Sequence, residues 1–112
     1  MDEMSKLLRY KSLEDMITHI AIFKWKKGVK KSEIEKAMKG VRNLKRKILG
    51  IVEIRCGESF SKHSKGFSHV VVVTAKSKAA LEAYRNHPDH VKVAEKIESM
   101  EEDEIGIDFE NR

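Results

Sequence analysis

From residue 17 onward the apolar positions alternate between a period of two and a helical period, and each switch marks an element. Ile17 to Trp25 is apolar and β-branched or aromatic. It predicts a first strand with His19, Ala21, Phe23 and Trp25 on one side, Ile20 and Ile22 on the other, and cover on both faces. Ser32 and Glu35 have capping-box spacing. Ile34, Met38, Val41 and Ile48 then recur at helical spacing until Gly50, which predicts one long amphipathic helix. Ile51 to Arg55 reads as a second strand and residues 57–66 as a polar loop rich in Ser and Lys. Phe67 to Ala75, almost continuously Val, reads as a third strand buried on both faces. Ser77 to Tyr84 predicts a short helix with Ala80, Leu81 and Tyr84 on its inner side. Pro88, the only proline, disfavours helical geometry at His87 and suits the first turn of a new helix. In that helix His90, Val93, Ala94 and Ile97 share one face, so a histidine heads an apolar stripe. Glu104 to Phe109 alternates again, a last strand with Ile105, Ile107 and Phe109 on one side.

The order β-α-β-β-α-β predicts an α+β fold of ferredoxin-like type, an antiparallel sheet with helices on one face. The other face still carries valines and isoleucines, so a second copy is expected to cover it. The expectation is a homodimer closing into an α/β barrel, with a higher homo-oligomer left open. One domain is expected over residues 16–112, after a polar and flexible extension over residues 1–15 with a short helical pattern around Leu7, Leu8 and Leu13.

A chain of 112 residues with 40% apolar content supports one modest core. Charged residues make up 37%, glutamine is absent and asparagine occurs three times, a composition that leans thermophilic. Cys56, the single cysteine, excludes an intrachain disulfide and a Cys-rich zinc site. No apolar run approaches the roughly 18 residues of a membrane span, and Ile17 to Trp25 lacks the pattern of a signal peptide. A cytoplasmic protein without a membrane partner is therefore expected. The net charge of +5 conceals a dipole: Lys24 to Lys47 carries eleven basic residues against Glu33 and Glu35, while Glu95 to Glu110 carries eight acidic ones against Lys96. The basic stretch lacks interleaved aromatics and any recognition motif, so no nucleic-acid partner is expected. It reads as solvated surface or as a match for an acidic segment of a neighbouring subunit.

Candidate chemistry concentrates between Tyr84 and His90, where a phenol and two imidazoles flank Pro88. His90 and Tyr84 can be a core histidine and a packed aromatic, or a base and a hydrogen-bonding partner lining one pocket; the pattern leaves both open. His69 shares a strand face with Val71 and Val73, and His19 with Ala21 and Phe23, so each can place one polar group in an apolar wall. The beginnings of antiparallel neighbours lie far apart, which argues against both histidines facing one reacting atom. His87 reads as a helix cap or terminator and His63 as a loop residue. No carboxylate clearly joins the histidines, so no metal site is expected. Ser61, Ser64 and Ser68 lack the glycine-framed turn of a nucleophile.

Three segments carry a family resemblance: Thr18 to Lys26, Gly66 to Val73, and Tyr84 to Val91 with its His-Pro-x-His-Val piece. Together, and in this order over residues 17–109, they resemble the stress-responsive A/B barrel (Dabb) domain family, which includes plant stress-responsive proteins and olivetolic acid cyclase. The resemblance implies a dimeric α/β barrel of ferredoxin-like halves. From the cyclase it implies cofactor-independent aldol chemistry, with His90 as general base, Tyr84 assisting by hydrogen bonding, and His69 and His19 in support. Phe23, Met38, Val71 and Val73 are expected around the ligand. A tyrosine of the cyclase's first helix falls on Val41 and nearby pocket aromatics on Ala37 and Met38, so a different substrate is implied. Two readings follow. One is a pocket that binds a small hydrophobic or polyketide-like ligand and catalyses cyclase- or lyase-type proton transfer without a cofactor. The other is a non-catalytic, highly stable stress-responsive oligomer.

Overall fold

The computed structural model describes residues 15–111. The elements run β1 (Ile17–Trp25), α1 (Lys31–Lys47), β2 (Ile51–Glu58), β3 (His69–Ala75), α2 (Lys78–Asn86), α3 (Pro88–Met100) and β4 (Glu101–Glu110). The four strands form one antiparallel sheet in the order β2-β3-β1-β4, with β1 paired to both β3 and β4. The expectation for residues 1–14 lies outside the described residues.

Helix α1 buries Ile34, Met38 and Val41 of the expected stripe together with Ala37 and Leu44, whereas Ile48 is buried as the extended C-cap and the helix ends at Lys47, before Gly50. Lys45, Arg46 and Lys47 in the last turn complement the helix dipole. Its start differs from expectation: Lys30 is the N-cap, no side chain caps it, and Ser32 and Glu35 lie inside the helix rather than forming a capping box. Residue 31 already has helical geometry, one position before the proposed cap, so the Ser32 side chain cannot reach the free N–H groups from outside the first turn. Gly50 takes a positive φ of 86° in the turn to β2, and a Cβ there would lie 2.8 Å from that of Ala80. Both backbone and packing demand glycine. Strand β2 runs on to Glu58, past the expected Arg55, and β4 begins at Glu101 rather than Glu104, because pairing with β3 and β1 extends beyond the apolar stretches.

The break around Pro88 is built as its residues suggest. Ser77 caps α2 by accepting from the Ala80 N–H at 3.0 Å. His87 ends α2 and caps α3, its Nδ1 accepting from the Asp89 N–H at 3.1 Å, with Pro88 in the first turn.

Cross-strand register sorts the sheet into two faces. Ile17, Ala21, Phe23, Val71, Val73 and Ala75 are buried beneath the helices with Leu44, Leu81 and Tyr84. On the opposite face Ile20 pairs with Val72 and Ile107, and Ile22 with Val70 and Ile105. Ile105, Ile107 and Phe109 there are 43–48% exposed. The valine run of β3 is thus buried on the helical side and only half-buried on the other, since nothing among the described residues covers that face.

Candidate functional site

Strand β4 is inverted relative to an ordinary half-buried strand. Its apolar residues occupy the open face, and Glu104, Gly106 and Asp108 point toward the helices, paired with Phe23, Ala21 and His19. Two small residues side by side, Ala21 and Gly106, do not fill the space beneath α3; a Cβ on Gly106 would meet nothing within 4 Å. The result is a cavity of about 480 Å³ between sheet and helices. His19, Ala21 and Phe23 of β1, Val71 of β3 and Gly106 of β4 line it, opposite His90, Val93, Ala94 and Ile97 of α3. The apolar stripe of α3 and the histidine that heads it therefore form one wall.

One end of this cavity gathers its two histidines. His90 Nδ1 lies 3.0 Å from the Arg85 carbonyl, which only accepts, so Nδ1 carries the proton and donates. In the neutral ring Nε2 then holds the free lone pair. Burial holds the His90 pKa below 6.5, helped by His19, Arg85 and His87 and opposed by the bond to the Arg85 carbonyl. His19 Nδ1 is 2.5 Å from Asp108 Oδ1, and the other carboxylate oxygen of Asp108 accepts from the Arg85 guanidinium. Burial works against the Asp108 carboxylate, but the hydrogen bonds from Arg85 and His19 outweigh it and keep its pKa below 3.8. The carboxylate thus fixes the His19 ring and neutralises the guanidinium together.

Tyr84 packs beneath this pair, its ring centroid 4.4 Å from that of His90, and is 2% exposed. It lies behind the imidazole rather than on the cavity wall. Burial, reinforced by Cys56, pushes its pKa up, so it stays a protonated phenol. His69 sits elsewhere. It pairs with Phe23 whereas His19 pairs with Val73, four residues along the strand, or about 14 Å. There the Trp25 indole N–H donates to His69 Nδ1 at 3.0 Å, Ser68 Oγ lies 2.8 Å from the same nitrogen, and Trp25 stacks on Phe23. The structure therefore brings His19 and His90 together and leaves His69 apart. Of the expected pocket residues, Phe23 and Val71 line the cavity, while Met38 and Val73 belong to the core beside it.

Sequence reasoning missed Arg85, Glu98, Glu104, Gly106 and Asp108. A signal for the strand residues was present: with Ile105, Ile107 and Phe109 on one side of β4, the alternate set had to face the other way. Arg85 carried none, because its partner is 23 residues away.

A four-stranded antiparallel sheet in this order, with all helices on one side, defines the ferredoxin-like class. Within it, the chain belongs to the stress-responsive A/B barrel (Dabb) domain family, whose model matches residues 17–111. It is 28% identical over 101 residues to the stress-response A/B barrel domain-containing protein DABB1 of Arabidopsis thaliana, covering 87% of this chain and 48% of that protein. The chain thus spans about half the length of that relative. To HS1 of the same organism and family it is 31% identical over 80 residues, 70% of this chain and 73% of that one. Among solved structures, one of an Arabidopsis thaliana protein matches with a TM-score of 0.79 at 28% identity, covering 86% of this chain and 95% of that one. A hydroxynitrile lyase from Passiflora edulis shares the fold with a TM-score of 0.82 at 16% identity, covering 88% and 95%. A protein of unknown function from Thermobifida fusca, described as dimeric and ferredoxin-like, does so at 0.76 and 24%, covering 85% and 90%. No helix of the described residues is long and apolar enough to cross a membrane.

Proposed function

We propose that this domain, residues 16–112, works as a homodimer whose cavity takes up a small, mostly apolar ligand and that His90 removes a proton from it. The observation that carries this reading is the tautomer of His90. Its Nδ1–H is tied to a backbone carbonyl, its pKa is held down by burial, and its second nitrogen, on a residue of the cavity wall, has no partner among the described residues. A neutral imidazole so held is a ready acceptor for a proton α to a carbonyl. His19, its ring fixed by Asp108, borders the same space and supplies the second polar group of the wall. Tyr84 acts as a positioning residue that packs against His90 and sets the plane of its ring. The reaction class is cofactor-independent cyclase or lyase chemistry, in line with the enzymatic members that the family resemblance brings in. The dimer rests on the open face, where Ile20, Ile22, Val70, Val72, Ile105, Ile107 and Phe109 form a continuous apolar surface. A second copy covers it and closes the barrel. Light scattering should give twice the 12.9 kDa chain mass, and Ile107→Asp should give the monomer.

The test of the site is a histidine-resolved NMR titration of the wild type and His90→Gln, with and without a panel of small ketones, β-keto acids and aromatic acids. His90 signals that move with a ligand, and a response lost in the variant, support the reading. A His90 ring that no probe perturbs leaves the second reading, a non-catalytic stress-responsive oligomer. One observation favours that alternative: both cavity histidines already have protein partners, as structural imidazoles do.

A further inference from the structure

The cavity has two chemically opposite ends, and the hairpin between α3 and β4 produces them. Helix α3 runs from His90 toward Glu98, about 12 Å at 1.5 Å per residue, and β4 then returns from Glu104 toward Asp108. The start of the helix therefore lies over the end of the strand, and the end of the helix over its start. His90, His19 and Asp108 meet at the first junction, and Glu98 and Glu104 meet at the second. Their proximity is felt: the Glu104 pKa is raised, first by burial and then by the Glu98 carboxylate, with His19 opposing. Glu95 borders the same cavity. Among the described residues no cation lies within ion-pair distance of Glu95, Glu98 or Glu104. Arg85, the guanidinium of the wall among the described residues, is already engaged by Asp108 and Glu82.

We propose that Glu98 and Glu104 make this cavity charge-selective, admitting neutral carbonyl compounds and ammonium-bearing apolar ligands and rejecting carboxylates. The proposal rests on the cavity being the ligand site. Physically, an anion entering beside three glutamates meets no unneutralised cation among the described residues of the wall, and a neutral His90 offers it none. A neutral ketone meets only the apolar floor of Ala21, Gly106 and Phe23 and the two imidazoles. A ligand with an ammonium group can leave it at the glutamate end while its apolar body fills the slot.

The experiment measures binding of three probes on one skeleton, phenylbutanone, phenylbutylamine and phenylbutyrate, to the full chain at low and high salt, read by the chemical shifts of His90 and Val71. In the wild type at low salt the ketone and the amine should each bind at least fivefold tighter than the carboxylate. Glu98→Gln/Glu104→Gln should bring the amine and the carboxylate to within about twofold of each other, and high salt should narrow the gap in the wild type. A carboxylate that binds the wild type as well as the other two, or a ratio unmoved by the double substitution, overturns charge selection and leaves the cavity reading standing. No binding by any probe overturns both.

Discussion

Two histidines occupy equivalent-looking places on neighbouring strands, and their surroundings differ completely. His19 lies under α3 beside a small-residue floor, with its ring held by a carboxylate and facing open volume. His69, at the far end of the same strand pair, accepts a hydrogen bond from Trp25, has Ser68 against the same nitrogen, and sits outside the cavity wall. The difference lies in the strand beyond. β4 offers Gly106 and Asp108 to the His19 end, whereas at the His69 end aromatic rings fill the layer, Trp25 stacking on Phe23 at 5.3 Å between centroids. A strand histidine is thus made into site or scaffold by its cross-strand neighbours.

The strongest way to break this contrast is to remove each imidazole in turn. His90→Gln should slow exchange of the α-protons of a bound ketone by about a hundredfold or more, the usual worth of a positioned general base. His69→Gln should change that rate less than about threefold. Deuterium exchange followed by NMR reads both, and equal losses would show that the two ends do not differ. Trp25→Ala should have the converse signature. It removes the indole that packs on Phe23 and bonds His69, so chemical denaturation should show a loss of about 2 kcal/mol, with ligand binding at the His19 end retained.

A finer cut is Gly106→Val, which fills the floor of the cavity where an added Cβ meets nothing. Ligand affinity should fall about tenfold while stability stays within about 1 kcal/mol, since β-branched residues suit a strand. A large stability loss without a binding effect would show that the space is not the ligand site. The smallest effect is on pH dependence. Burial lowers the pKa of both His69 and His90 below 6.5, so between that value and the folded pKa the unfolded chain binds more protons than the native one. The contribution to stability is full above pH 6.5 and is lost as pH falls through the folded pKa. Thermal melts from neutral pH downward should show this decline, and the two glutamine variants should each flatten part of it.

Much of the fold was legible because local chemistry and tertiary packing agree. The apolar run at Ile17–Trp25, the helical spacing from Ile34 to Val41 and the proline break at His87 each survive in the structure with their core residues inward. The Ser32 cap was misread because capping depends on where the helix starts, and the helix already begins at Lys31 with Lys30 as its N-cap. The site was half legible. His90 and Tyr84 could be placed on inner faces from helical period alone, but only packing shows that Tyr84 lies behind the imidazole instead of beside the ligand.

The sequence by itself determined the order of elements, the inward face of each helix and the uncovered apolar face of the sheet, because periodicity is a property of neighbours along the chain. Tertiary structure alone decided that Asp108 meets His19 across 89 residues, that Arg85 closes the same carboxylate, and that Gly106 beside Ala21 leaves a space. Those facts depend on strand register, and a shift of one residue would turn Gly106 and Asp108 to the opposite face of the sheet and remove the cavity with them.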